Sequence, residues 1–207
     1  MIKEACVESF EEAKRAQEQG ANRVELCSDL ANDGLTPTMR DLQKACSLLA
    51  IPVMVMVRPR KGNFVYSPHE ISEMKQAIDK AKNAGAHGVV LGMLRPDNKI
   101  DAKNTRMLAE YALPLPVTFH KAIDEMDDPV EGVRVLKTIP NVKRILTSGG
   151  KPTALKGLET IRQMIAEAEG KIIMLVAGKV LDTNVSKIQK LTGTNELHGR
   201  RIVGELL

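Results

Sequence analysis

Two glutamates, two histidines and an arginine occupy positions from which they can move protons and hold charge. Glu8, Glu25, Arg58, His120 and His198 each fall at or near the end of a short apolar run. A carboxylate beside an imidazole is the usual equipment for proton transfer near neutral pH, and each shifts the other's pKa when they are close. Asp124 follows His120 by four positions, where it can orient the imidazole or cap a following helix. Arg58 and Arg60, two apart in VRPRKGNFVY, have the forked guanidinium that addresses carboxylate or phosphate; a solvated basic loop is the competing reading. Phe64 and Tyr66 follow in the same loop, as a cover for a ligand or as an anchor for the loop. Lys121 offers a cation or an amine. The segments ILTSGG, LVAGK and LHGRR set Thr147, Ser148, Gly178 and Gly199 in tight turns whose backbone amides suit an anion, or whose glycines serve turn geometry alone.

Sulfur is sparse. Cys6, Cys27 and Cys46 form no CxxC and no zinc-finger spacing, so reduced thiols are expected. Cys27, two residues from Glu25, is the candidate metal ligand, with Cys6 and His120 as possible partners, although the fifth strand, which carries His120, lies across a barrel from the first two; Cys46 falls within a helix. Met54 and Met56 alternate with valines in a strand and read as core.

These positions need elements to hold them. Apolar runs are expected as strands at 2–8, 22–27, the PVMVMVRP segment, 87–92, 116–120, 142–147, 171–176 and 194–198. Helical periodicity falls between them at 10–19, 38–49, 69–84, 102–112, 129–138, 153–168 and 183–191. Ser9 with Glu12 forms a capping box, and Pro68 opens the long third helix. Eight strands, each followed by a covering helix and with no linker or composition break, predict one domain over 1–207, a compact (β/α)8 TIM barrel whose last helix is short or absent. An open doubly wound sheet is the alternative. In a barrel the strand carboxyl ends converge, and the polar residues above converge with them.

Composition narrows the partners. The chain is 43% apolar with a formal charge of +4, and its basic residues are interleaved with acidic ones. A small anionic molecule is favoured, nucleic acid is not, and no segment approaches a membrane span. The absence of a signal-peptide pattern predicts a cytoplasmic location, and a homo-oligomer is left open.

The segments ACVESFEEA, RVELCSDL, GLTPT, VMVRPRKGNFVY, GVVLG, TFHKAID, RILTSGG and ELHG, in this order, resemble the CutC family across nearly the whole chain. That resemblance implies a cytoplasmic barrel associated with copper homeostasis, with copper as the candidate metal and Glu8, Glu25, Cys27, Arg58, Arg60, His120, Asp124 and His198 as its characteristic polar positions. Three departures stand out: Lys121 replaces an arginine, Lys179 a glycine, and Arg200 a small residue. Two carboxylates, two arginines and two histidines suit an acid/base enzyme (a lyase, isomerase or hydrolase) on a small anionic, even phosphorylated, substrate. Tight Cu(I) binding would instead require closely placed sulfur.

Overall fold

In the computed structural model, which describes residues 1–206, the eight strands close into one parallel barrel in sequence order. They are β1 (Ile2–Val7), β2 (Arg23–Leu26), β3 (Val53–Met56), β4 (Gly88–Leu91), β5 (Val117–Phe119), β6 (Val142–Thr147), β7 (Ile173–Val176) and β8 (Glu196–Gly199). Seven helices cover them: α1 (Phe10–Glu18), α2 (Met39–Leu48), α3 (Pro68–Ala84), α4 (Ala102–Ala112), α5 (Pro129–Leu136), α6 (Leu158–Ala168) and α7 (Val185–Thr192). Among the described residues no helix follows β8, as expected. None of the helices is long and apolar enough to cross a membrane.

Local signals account for the boundaries. Ser67 and Glu70 form a reciprocal capping box with Pro68 in the first turn, so α3 begins there. Ser9 accepts the Glu12 N–H and starts α1, but the Glu12 carboxylate reaches back one residue further than a capping box does, to the Glu8 N–H at 2.9 Å. β1 therefore ends at Val7, one residue before the expected limit. α6 begins at Leu158 rather than 153, because residues 153–157 are spent in turns that pack against the loops after β6 and β7; Ala154 donates to the Gly178 carbonyl at 2.9 Å.

The register sorts side chains into two cores. Pairings such as Cys6↔Glu25, Glu25↔Met54, Val90↔Thr118, Leu175↔Glu196 and Glu4↔His198 put those residues on one face of the sheet, the inside of the barrel. The alternate positions, among them Ala5, Val7, Val24, Leu26, Val55, Val89 and Phe119, join the helices in one continuous outer core. The interior is filled differently, by a small Cys6–Cys27–Met54–Met56–Val90 cluster, a Leu146–Leu175–Ala177 cluster, and charge. Arg23 reaches the carboxylates of Glu4 and Glu196, and Arg144 holds Glu196 at 2.8 Å. Two arginines and two glutamates thus occupy the amino-terminal half of the barrel, where branched aliphatic residues more often sit.

Candidate functional site

At the carboxyl ends of the strands lies a cavity of about 740 Å³, within the size range of small-molecule sites. Its wall includes Cys6, Glu25, Arg58, His120, Lys121, Asp124, Ser148, Gly178, His198 and Gly199, so most of the polar residues singled out from sequence meet in one place. Glu8, Arg60, Thr147 and Cys27 do not line it.

The floor is an ion pair. His198 Nε2 lies 2.9 Å from Glu25 Oε2, both side chains being buried. Burial pushes His198 down, but the Glu25 charge, together with hydrogen bonds to Cys6 and Glu25 and the Cys6 charge, outweighs it and holds the imidazole well above its usual range. Burial likewise works against the Glu25 carboxylate, and the His198 charge together with hydrogen bonds from His198 and Cys6 and the more distant His120 outweighs it, lowering the Glu25 pKa. Glu4 stands directly beside His198 in the sheet, and there burial wins over Arg23 and raises its pKa.

His120 is the opposite case. β5 ends at Phe119, so His120 caps a short 3-10 turn (Lys121–Glu125), and its Nδ1 accepts the Ala122 N–H at 3.1 Å. Burial, reinforced by the Arg58 charge, lowers its pKa to about 4. The ring is therefore neutral and carries its proton on Nε2. Phe64 packs against it with ring centroids 4.8 Å apart. Ending the strand at Phe119 also turns Lys121 onto the cavity wall, where its amine meets Asp124 and the Ser148 hydroxyl.

Asp124 neither orients His120 nor caps α5, whose cap is Asp128. Its carboxylate accepts from the Thr147 hydroxyl at 2.6 Å, the Ser148 N–H at 2.9 Å and the Gly150 N–H at 2.8 Å, fixing the loop after β6. Thr147 faces the helix layer, and Ser148 takes the cavity side. Arg58 lines the cavity, yet its guanidinium is largely committed. Nη1 donates to the carbonyls of Asn32, Asp33 and Gly34 at 3.1–3.2 Å, Nη2 donates to that of Gly62 at 3.1 Å, and the group lies over Phe64. It clasps the loops after β2 and β3. Arg60 lies over Tyr66, pairs with Glu70 and donates to the carbonyls of Asn63 and Val65, a brace within its own loop.

Glu8, one residue past β1, accepts the Leu30 N–H at 3.0 Å and secures the 3-10 turn Leu30–Asn32. The residues that β1 contributes to the interior are Glu4 and Cys6. Sequence reasoning missed Glu4 and Arg23 and weighed Cys6 only as a possible metal ligand; the N-cap signal at Ser9 was the means of placing it, since a strand ending at Val7 puts Cys6 last on the inner face.

Cys6 and Cys27 come together. Their sulfurs and a Glu25 oxygen all lie within 4.8 Å of one another, on adjacent strands and beneath the cavity. Cys27 Sγ donates to Glu25 Oε2 at 3.7 Å, and the interaction between the two thiols lowers the Cys6 pKa and, with burial, raises that of Cys27 well above the usual thiol range. Cys6 pairs in register with Glu25, not Cys27, so the two cysteines are diagonal neighbours. Strand spacing and rise put their α-carbons about 8 Å apart, beyond what a disulfide spans. Glu4, Glu25 and His198 also converge within 4.8 Å, but Arg23 and the imidazolium already balance those carboxylates.

The remaining wall comes from the loops after β7 and β8. Gly178 has φ +97°, and a Cβ on Gly199 would stand 2.3 Å from the Val180 carbonyl oxygen, so both glycines are explained by turn geometry and packing. Lys179 lies between these constraints with φ +55°. An L side chain is strained there, by an amount that exceeds the extra chain entropy of glycine. Lys179→Gly is expected to raise stability by about 0.5–1 kcal/mol, read as a higher urea midpoint with an unchanged m-value.

The CutC family model matches residues 1–203. The chain is 43% identical over 197 residues to the human copper homeostasis protein cutC homolog, covering 95% of this chain and 72% of the human protein. It is 40% identical to a family protein CutC of Vibrio vulnificus, over 94% of this chain and 78% of that one. A crystal structure of CutC from Streptococcus agalactiae superposes with a TM-score of 0.92 at 32% identity, covering 98% and 99% of the two chains.

Proposed function

The chain belongs to the CutC family, and from that premise we propose that it serves copper homeostasis by taking copper as Cu(I) between Cys6 and Cys27. The observation that carries this reading is the approach of the two sulfurs, with a Glu25 oxygen, to within 4.8 Å beneath the cavity, whose wall Cys6 and Glu25 line. Thiolate is the donor that soft Cu(I) selects, and closely placed sulfur is what the sequence alone did not reveal. The diagonal register supports the same reading, since it keeps the thiols near each other yet disfavours their joining. Free thiols suit a reducing compartment such as the cytoplasm. Copper is cargo in this reading, and the neighbouring Glu25–His198 pair supplies charge beside it.

Competition between reduced protein and a chromophoric Cu(I) chelator tests it. One copper per chain is expected, and Cys6→Ser or Cys27→Ser should each weaken binding by at least about tenfold. Equal binding by wild type and both variants would overturn the assignment.

A further inference from the structure

The thiol pair uses one corner of the cavity, and the rest of the wall has a different chemistry. His120 Nε2 and Glu25 Oε1 are both buried, and neither has a hydrogen-bond partner among the described residues. They belong to side chains on β2 and at the end of β5 that line the same cavity. Because Nδ1 of His120 is occupied by the Ala122 N–H, the unpartnered nitrogen is a donor, whereas the unpartnered Glu25 oxygen is an acceptor. A buried polar group left unpaired is destabilising, so each is a place for a ligand's polar atom. A ligand hydroxyl carries the matching pair of functions, an oxygen that can accept from His120 and a proton that can go to Glu25.

Charge on the wall favours an anion. Six basic side chains on the wall, Arg58, Lys121, Lys151, Lys179, Arg200 and His198, face four carboxylates; Lys121 pairs with Asp124 and His198 with Glu25, which leaves Arg58, Lys151, Lys179 and Arg200, the last also 3.6 Å from Glu12, against Asp33 and Glu125. Lys179 and Arg200 stand on the side contributed by β7 and β8. Between the two polar ends Leu30, Met56, Phe64 and Leu146 supply apolar wall for a short carbon chain. We infer that the cavity binds a small hydroxylated anion, one hydroxyl bridging His120 Nε2 and Glu25 Oε1 and the carboxylate or phosphate directed to Lys179 and Arg200. This site does not depend on copper at Cys6 and Cys27.

Calorimetry on reduced, metal-free full-length protein tests the inference with matched probes: glycerate against propionate, and glycerol 3-phosphate against propyl phosphate. At least one hydroxylated probe is expected to bind about tenfold or more tightly than its deoxy partner, as one buried hydrogen-bonded hydroxyl allows. His120→Phe should abolish that preference while His120→Gln, which keeps a donor, retains part of it, and Lys179→Glu with Arg200→Glu should weaken both members of a pair. The carboxylate and phosphate arms identify the anionic end. Should His120→Phe fail to fold, the ¹⁵N resonance of His120 Nε2 in the wild-type protein must move with glycerate or glycerol 3-phosphate and stay fixed with the deoxy controls. Absence of binding at millimolar concentration, no hydroxyl preference, or a preference that survives His120→Phe would each overturn the site.

Discussion

Arg23→Met is expected to lower the unfolding free energy by about 3–5 kcal/mol, the usual cost of removing one partner from a buried ion pair. Arg23 is 6% exposed and touches both Glu4 and Glu196. Methionine fills much of the same volume, so the loss comes chiefly from two carboxylates left without their cation. Glu196 retains Arg144, but Glu4 retains only the more distant His198 charge. Burial already raises the Glu4 pKa, and without Arg23 it should rise further and the group should take up a proton on folding. The loss should therefore be largest at neutral pH, where the unfolded chain carries Glu4 as carboxylate, and smaller at pH values near the ordinary glutamate range. Urea unfolding across pH measures this. Adding Glu4→Gln to Arg23→Met should recover part of the loss; a double mutant no more stable than Arg23→Met would show that packing rather than stranded charge sets the cost.

Asp124→Ala is expected to cost about 3 kcal/mol, because it strands the Ser148 and Gly150 N–H groups and the Thr147 hydroxyl together. The charge matters as well as the oxygens. Burial would raise the pKa of Asp124, but the charge and hydrogen bond of Lys121, with those of Thr147 and Gly150, hold it below its ordinary value of 3.8. A carboxylate depressed in the folded state contributes stability that is fully present above its unfolded pKa and is lost as pH falls through the folded one. The gap between wild type and Asp124→Ala should thus be constant from pH 7 to about 5 and should narrow below about 3.9, the unfolded value. A gap that stays constant to pH 3 would exclude the charge. Since Asp124 also sets Lys121 and Ser148 on the cavity wall, faster hydrogen exchange at residues 148–151 should accompany the loss.

The barrel was legible because its signals are local and repeat. The Val53–Met56 run, Pro68 at the start of α3 and the helical spacing that follows it each report on a few neighbouring residues, and eight such units in order leave little freedom in how they close. The site was legible as a level in the barrel and less so as a set of contacts. Glu25 and His198 were found because each is the last inward residue of its strand, and His120 because it follows β5 directly. Glu8 was misplaced by a single residue, which in a period of two means the opposite side or, here, the turn beyond. Arg58 could not be recognised as a clasp, because the carbonyls it holds at 32–34 come from a loop more than twenty positions away. Nor could the approach of Cys6 to Cys27 be read without the pairing of β1 with β2, which no property of either segment states alone.

That pairing links the thiols to the entire barrel. In an open sheet, two strands can slide past each other at the expense of one ladder of hydrogen bonds. A closed barrel has no free edge, and its stagger must add up around the circuit, so slipping β1 against β2 by two residues would have to be absorbed at the other seven seams. The separation of Cys6 and Cys27 is accordingly a global dimension of the molecule, as fixed as its diameter. Oxidants that weld neighbouring thiols elsewhere meet a gap held open by all eight strands.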